Sequence, residues 1–449
     1  METSSRISKY FIFFLCSLII IAPLPLGSNR IWAWSILEFA VFSLACFHLA
    51  YCAKHEKPIL SFDWQKTLLI PIVVMLVYLL LQVIGVIPGI ETVDAYQTTH
   101  QLLKTLTYLI FVLLLSEYCK DERMLRWVVF SIILSGCFQA FYGSFVYLLD
   151  LDVSPVFHFA EGDKARGTFV YQNHFANYLA LCLAIAVGWL ISELNTQRQA
   201  FEFRQAFLNA LSTMFSRKLI LRLAIILMII GLILSRSRMG NAGFFTALIV
   251  VSVFAIFCYR RPPILLKPLV ISIIILDLII VGSIFGVEKV KQRIEDTSFA
   301  SETRDLVVID SMPIIKDNWL TGTGGGSFYT IFPSYQPRPY SGFYDHAHNE
   351  YIQFSIEYGV IISAMLGLWV LYGLYLACKT MHKRNNKFYK GVAFGSAMAI
   401  VHMCIHNMVD FNLQSPANTL LFLTILTLCW LSYNLPSDLK KRPRRHRGD

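Results

Sequence analysis

Apolar residues run in long blocks separated by short polar bursts, each block near the roughly 20 residues that a helix needs to cross a bilayer. The blocks fall at about 10–26, 31–52, 67–87, 102–118, 127–149, 174–193, 219–235, 240–259, 268–286, 351–377, 391–411 and 417–434. The first could be mistaken for a signal peptide, but it has no small-x-small cleavage site and a second block follows at once, so it counts as a span. The pattern predicts an all-α integral membrane protein of about twelve transmembrane helices, a single membrane domain over residues 1–449. Two connecting segments are longer than connection requires, 150–173 and 287–350. The longer one, between the ninth and tenth spans, opens with a helical pattern and continues rich in Gly, Pro and Tyr; loops of that size usually carry function.

Charge fixes the expected orientation. With the N-terminus inside, the cytoplasmic segments hold well over twice as many Lys and Arg as the external ones, and the basic tail 435–449 is the strongest inside signal. Both termini are therefore expected in the cytoplasm. The composition agrees, with 56% hydrophobic and only 15% charged residues, too few charges for a soluble chain of 449 residues. The net charge of +10 is scattered in clusters between apolar blocks, which suits topology and anionic lipids and not nucleic acid. None of the ten cysteines falls in an external loop, and they show neither a disulfide framework nor a metal-ligand spacing.

Chemistry-bearing residues gather at the external ends of the spans. Arg166-Gly167-Thr168-Phe169 precedes Asn173-His174 at the start of the sixth span, where a helix N-terminus and a forked guanidinium suit an anion; a loop arginine with polar caps is the alternative. Ser235-Arg236-Ser237-Arg238 lies between two blocks, and residues two apart do not share a helix face. At most one of these arginines then points into the bundle, while the other meets headgroups; both could equally snorkel to lipid phosphates. In the long loop Thr303–Ile315 has helical spacing, with Leu306, Ile309 and Ile315 on one side and Arg304 near its start. The run Gly322-Thr323-Gly324-Gly325-Gly326-Ser327 lacks the ending of a nucleotide P-loop, and its glycines suit a tight turn or a closely approaching substrate.

The sharpest motif is Asp345-His346-Ala347-His348-Asn349-Glu350-Tyr351, which ends the loop and opens the tenth span with Asp345 placed as N-cap. A histidine there can take a proton from a hydroxyl near neutral pH. His-x-His with one acid is a poor metal-ligand set, so a base or a substrate contact is favoured over a metal. Further along, His406 and Asp410 stand four apart, expected on one helix face and facing the bundle interior. Together these residues describe an external cavity rimmed by arginine and histidine, suited to a pyrophosphate at headgroup level.

These motifs, in this order and placement from about Arg166 to Asn418, resemble the O-antigen ligase and O-antigen polymerase superfamily of bacterial membrane glycosyltransferases. The resemblance implies transfer of a glycan from an undecaprenyl pyrophosphate donor to an acceptor hydroxyl on the periplasmic face of the inner membrane. It implies an inverting reaction without metal, nucleotide or other cofactor. By position, Arg236 or Arg238, together with Arg304, would hold the pyrophosphate, and Arg166, Asn173 and His174 would orient the donor. His348, directly before Asn349, fits the family's catalytic histidine better than His346; Asn349 and Tyr351 complete that motif at the glycan.

The acceptor divides the family. A ligase would use lipid A-core, a polymerase another lipid-linked repeat, and related enzymes a protein; the compact loop and the span number lean to the ligase. A transporter of lipid-linked glycans is the reading from another class. It would put charges deep in paired, broken spans, whereas Glu38, Asp277, Glu357 and Asp410 are scattered without symmetry.

Overall fold

The computed structural model describes residues 2–160, 162–194, 217–259, 267–268, 270–275, 304–337 and 344–436. Helices account for nearly all the regular structure, and among the described residues the extended pairing is an isolated bridge between Val153 and Ala160. In chain order the helices are α1 (Glu2–Ile21), α2 (Ile31–Lys54), α3 (Trp64–Ile84), α4 (Ala95–Tyr118), α5 (Glu122–Leu148), α6 (Gln172–Ser192) and α7 (Arg217–Leu234). They continue with α8 (Arg238–Cys258), α9 (Arg304–Asp317), α10 (Phe328–Tyr335), α11 (Glu350–Lys383), α12 (Lys387–His406) and α13 (Pro416–Asn434). Nine of these, α2 to α6, α8 and α11 to α13, are long and apolar enough to cross a membrane, so the chain is a multi-pass membrane protein. The expected spans at 10–26 and 219–235 lie on α1 and α7, while the one at 268–286 falls largely outside the described residues, as does the basic tail from 437.

The bundle is built around α6, which is buried along almost its whole length between α5, α7, α8 and α12. Burial on all sides explains why α6 reads as apolar all round, without a polar stripe. Its closest partner is α12. A Cβ at Gly188 would stand 2.3 Å from the Gly391 carbonyl oxygen, so these helices touch backbone to backbone, as small residues permit in membrane bundles.

The long loop carries a small core of its own. Val307 and Ile314 of α9, Phe328 and Phe332 of α10, Ala347 just before α11 and Ile356 within it pack together, all essentially without solvent exposure. The inward face of α9 is therefore Val307, Ser311 and Ile314, not the side expected from Leu306, Ile309 and Ile315; Ile309 is 61% exposed. Spacing of apolar residues located the helix, but the aromatic partners on α10 select which side faces in.

The loop is also hydrogen-bonded into the membrane helix that follows it. α11 is broken at Gly359, where φ is 74° and ψ is 164°. A break frees helix carbonyls and amides, here among the buried residues Ile356, Glu357 and Tyr358, where little water can satisfy them. The loop supplies their partners: Thr323 N–H donates to Ile356 O (2.8 Å), Gly324 N–H to Glu357 O (3.0 Å), and Val360 N–H donates to Trp319 O (2.7 Å). From α3, Gln82 Nε2 adds a bond to Glu357 O (3.1 Å). The approach is so close that a Cβ on Gly359 would lie 2.4 Å from Leu320 O, and one on Gly322 the same 2.4 Å from Glu357 O.

Gly359→Ala should therefore destabilise the fold by about 3 kcal/mol, since its dihedral region is nearly exclusive to glycine. Thermal unfolding of purified protein in detergent measures this, and an unchanged midpoint would show that the break is not held by this contact.

Candidate functional site

The motif at 345–351 is fastened to the chain beyond α12. Asn349, not Asp345, caps α11: its Oδ1 accepts from Tyr351 N–H (3.0 Å) and Ile352 N–H (3.2 Å). The capping oxygen must lie immediately before the first helical residue, and the helix starts at Glu350, too late for Asp345. The Asn349 amide nitrogen then donates to Met408 O (2.9 Å), and Glu350 N–H donates to Asn407 O (2.9 Å). In return the Glu350 carboxylate accepts from Leu413 N–H (3.0 Å) and Gln414 Nε2 (2.7 Å). Tyr351 turns its hydroxyl to Cys404 O (2.8 Å).

The segment gripped in this way carries Phe411, and four rings gather on it. His346 stacks on Phe411 at 4.4 Å between centroids, and His348 meets it edge-on at 4.7 Å. From the start of α6, His174 meets it edge-on at 4.9 Å and Tyr171 stacks at 5.6 Å. Tyr344 meets His348 edge-on at 5.6 Å. His348 has a φ of 49°, a left-handed conformation uncommon for a residue with a side chain, so its ring is placed against backbone preference.

Gln353 and Glu357, one turn apart on α11, hold His346. Gln353 Oε1 accepts from Ala347 N–H (3.2 Å), which fixes the amide so that Nε2 donates to Glu357 (3.0 Å) and to His346 Nδ1 (3.0 Å). Glu357 in turn accepts from Gly326 N–H (2.9 Å), so the glycine run reaches the imidazole through two side chains. With Nδ1 accepting, the neutral His346 ring carries its proton on Nε2 and presents a donor. Burial pushes the His346 pKa below the ordinary histidine value, opposed by the Asp345 carboxylate and the Gln353 bond, and reinforced by the Lys104 charge.

Behind Phe411, Asp410 accepts from Asn173 Nδ2 (2.6 Å) and stands 3.8 Å from His406 Nε2. Asn173 also donates to the Tyr171 hydroxyl (2.7 Å). His406 is the last residue of α12 and Asp410 lies beyond the helix end, so the turn that follows α12, and not a shared helix face, brings this pair together.

The arginines form a separate group. Ser237 caps α8, leaving Arg236 in the turn at a φ of 52°, with its guanidinium on Asp163 (2.8 Å) and the Tyr147 hydroxyl (2.9 Å). Arg166 donates to Ala160 O and lines a small hollow with Tyr147 and Lys164. Arg238 is exposed. Arg304 is the first residue of α9, and its side chain lies outside the described residues. Thus His174, His346 and His348 meet on Phe411, Asn173 and Asn349 bond to the nearby Asp410 and Met408, and Arg166 and Arg236 meet around Tyr147. The stretch 166–174 joins the two groups along the chain.

Beneath the histidine motif a cavity of about 580 Å³ runs between α11, α12 and α13. Glu350 and Asn407 stand at one end, and Phe354, Leu366, Val370 and Phe422 line its mainly apolar wall.

Residues 223–367 match the family model described as O-antigen ligase. Over that stretch, about a third of its length, the chain is similar to the O-antigen ligase family. The matched stretch contains Arg236, Arg238, Arg304, the glycine run and the whole histidine motif, and this supports the superfamily resemblance drawn from the motifs. Arg166, Asn173, His174 and Phe411 lie outside the stretch that matches the O-antigen ligase family. No curated protein matches the chain.

Sequence reasoning missed Phe411 as the hub and Gln353 with Glu357 as the support of His346. A signal was present for the pair, since two polar residues four apart in an apolar span share a face. For Phe411 there was none, as an aromatic beside a membrane helix is ordinary.

Selective ¹⁵N-histidine NMR in detergent should find His346 as the Nε2–H tautomer, titrating below the ordinary histidine value. Asp345→Asn removes a charge that raises this pKa, so it should move the midpoint lower still; an upward move contradicts the arrangement.

Proposed function

We propose that this protein is a periplasmic-face glycosyltransferase of the inner membrane that moves a glycan from undecaprenyl pyrophosphate to an acceptor hydroxyl, acting as an O-antigen ligase on lipid A-core. The observation that carries the reading is the pair of imidazoles held on Phe411 above an apolar cavity, within the stretch that matches the family. A lipid-linked substrate needs both: a polar site at headgroup level and an apolar channel for its chain.

In this reading the two histidines divide the work. His346 is fixed as a donor by Gln353, which leaves His348 to accept the acceptor's proton. The acceptor oxygen attacks the anomeric carbon from the face opposite the leaving group, and the bond to the phosphate oxygen breaks with inversion. The departing pyrophosphate is a developing anion, to be stabilised by Arg304 and by Arg236 or Arg238. The ion pair of Arg236 with Asp163, whose carboxylate is 71% exposed, is of a kind worth at most about 1 kcal/mol, so a pyrophosphate could take the guanidinium over. Arg166, Asn173 and His174 would orient the donor, and Asn349 and Tyr351 would lie at the glycan.

His348→Ala should lower transfer by about 10²-fold or more, the usual contribution of a positioned base, at an unchanged level of inserted protein. Near-normal transfer would remove His348 from the role. Deleting the gene and running the surface glycan on a gel tests the wider reading: cores without glycan and accumulated lipid-linked polymer are expected. Cores carrying single repeats would make the protein a polymerase, and unchanged glycan would refute both.

A further inference from the structure

Across from the histidine motif, α2 and α4 present polar groups that the fold leaves unused. Glu38 of α2 is only 9% exposed, and its Oε1 has no hydrogen-bond partner. His100 of α4 has both ring nitrogens buried without a partner, one edge of the ring being packed on Trp34 (5.3 Å) and on Tyr96 (4.3 Å). One turn further along α4, Lys104 lies over the Trp34 ring at 5.4 Å, with no hydrogen bond and no ion pair among the described residues. Lys104 and His100 both pack on Trp34, one turn before Glu38 on α2, and the glycine run that bonds Glu357 lies against Gln97 and Gln101 of α4, so these groups face one region. The depths agree: Glu38, Lys104 and Glu357 each lie within the first three turns of their helices.

Buried polar groups without partners are costly, and native proteins keep them where a ligand or water completes them. The composition of this set selects the ligand. Two carboxylates against one ammonium would repel a phosphate, and the ammonium would repel a metal ion. A neutral ligand that both donates and accepts fits: hydroxyls can donate to Glu38, accept from Lys104 and do either with His100.

We infer that Glu38, His100 and Lys104 form a subsite for a neutral sugar residue, the one whose hydroxyl is presented to the histidine motif as acceptor. This rests on the glycosyltransferase reading above. The donor's pyrophosphate is excluded from the region by Glu38 and Glu357, which leaves it to the acceptor. Lys104 and Glu38 are binding residues here and take no part in moving the proton.

The test measures binding without a donor, so it does not depend on transfer. Full-length protein in nanodiscs is mixed with oligosaccharide released by mild acid from the host's surface glycolipid, and saturation-transfer difference NMR reads contact with the sugar protons. Wild type and His348→Ala should both bind. Glu38→Gln and Lys104→Gln should each weaken binding at least about tenfold, with Lys104→Arg retaining part of it. Variants with the wild-type unfolding midpoint that bind the oligosaccharide as wild type does would overturn the subsite, as would absence of binding to wild type. Loss in Lys104→Gln of binding to inorganic pyrophosphate, or to phosphatidylethanolamine in the disc, with sugar binding intact, would also overturn it. If His348→Ala instead transfers normally while the sugar subsite holds, the catalytic reading fails and the subsite stands.

Discussion

The hydrogen bonds between the loop backbone and the break in α11 are the contact on which the site depends. At Gly359 the helix gives up the bond that would link Val360 N–H to Ile356 O, and the loop takes both ends. Because both partners are backbone groups in a buried stretch, neither can be left bare without a cost of about 2 kcal/mol or more. The loop is thus joined to the bundle by necessity and not by shape alone. The same docking sets Gly326 N–H on Glu357, which orients Gln353, which orients His346. A break in a helix is in this way translated into the tautomer of a histidine.

A second layer of order comes from Phe411. A ring with rings on several sides cannot shift without moving its neighbours, and packed interiors transmit such displacements. The residues grouped on it come from three distant parts of the chain: Tyr171 and His174 at the start of α6, His346 and His348 before α11, and Phe411 itself after α12. Asp410, next to Phe411, ties in Asn173 as well. The aromatic contact aligns the chain segments, and the polar bonds fix their rotation.

Much of this was legible in the sequence, for physical reasons that differ by element. Long apolar blocks report spans directly because the bilayer has one thickness, and the motif from Asp345 to Tyr351 stood out because histidines are costly at a membrane boundary. The side of α9 that faces inward was not legible, since Phe328 and Phe332 decide it from another helix. Nor was the cap at Asn349: Asp345 and Asn349 are both good caps, and the start of α11 is set by bonds from Asn407 and Leu413, far along the chain. Lys104 read as a residue at a span end, and only the approach of α2 gives it a neighbour, the Trp34 ring.

The break at Gly359 bears on how the protein is made. A newly synthesised α11 on its own has every reason to be a continuous helix, because its own carbonyls and amides are then each other's best partners. It can open only when the loop that precedes it in the chain is in place to replace those bonds. The loop is therefore an assembly cofactor for its own anchor. The histidine site takes shape only with the loop docked, so a chain in which α11 is still continuous carries every residue of the site and none of its geometry.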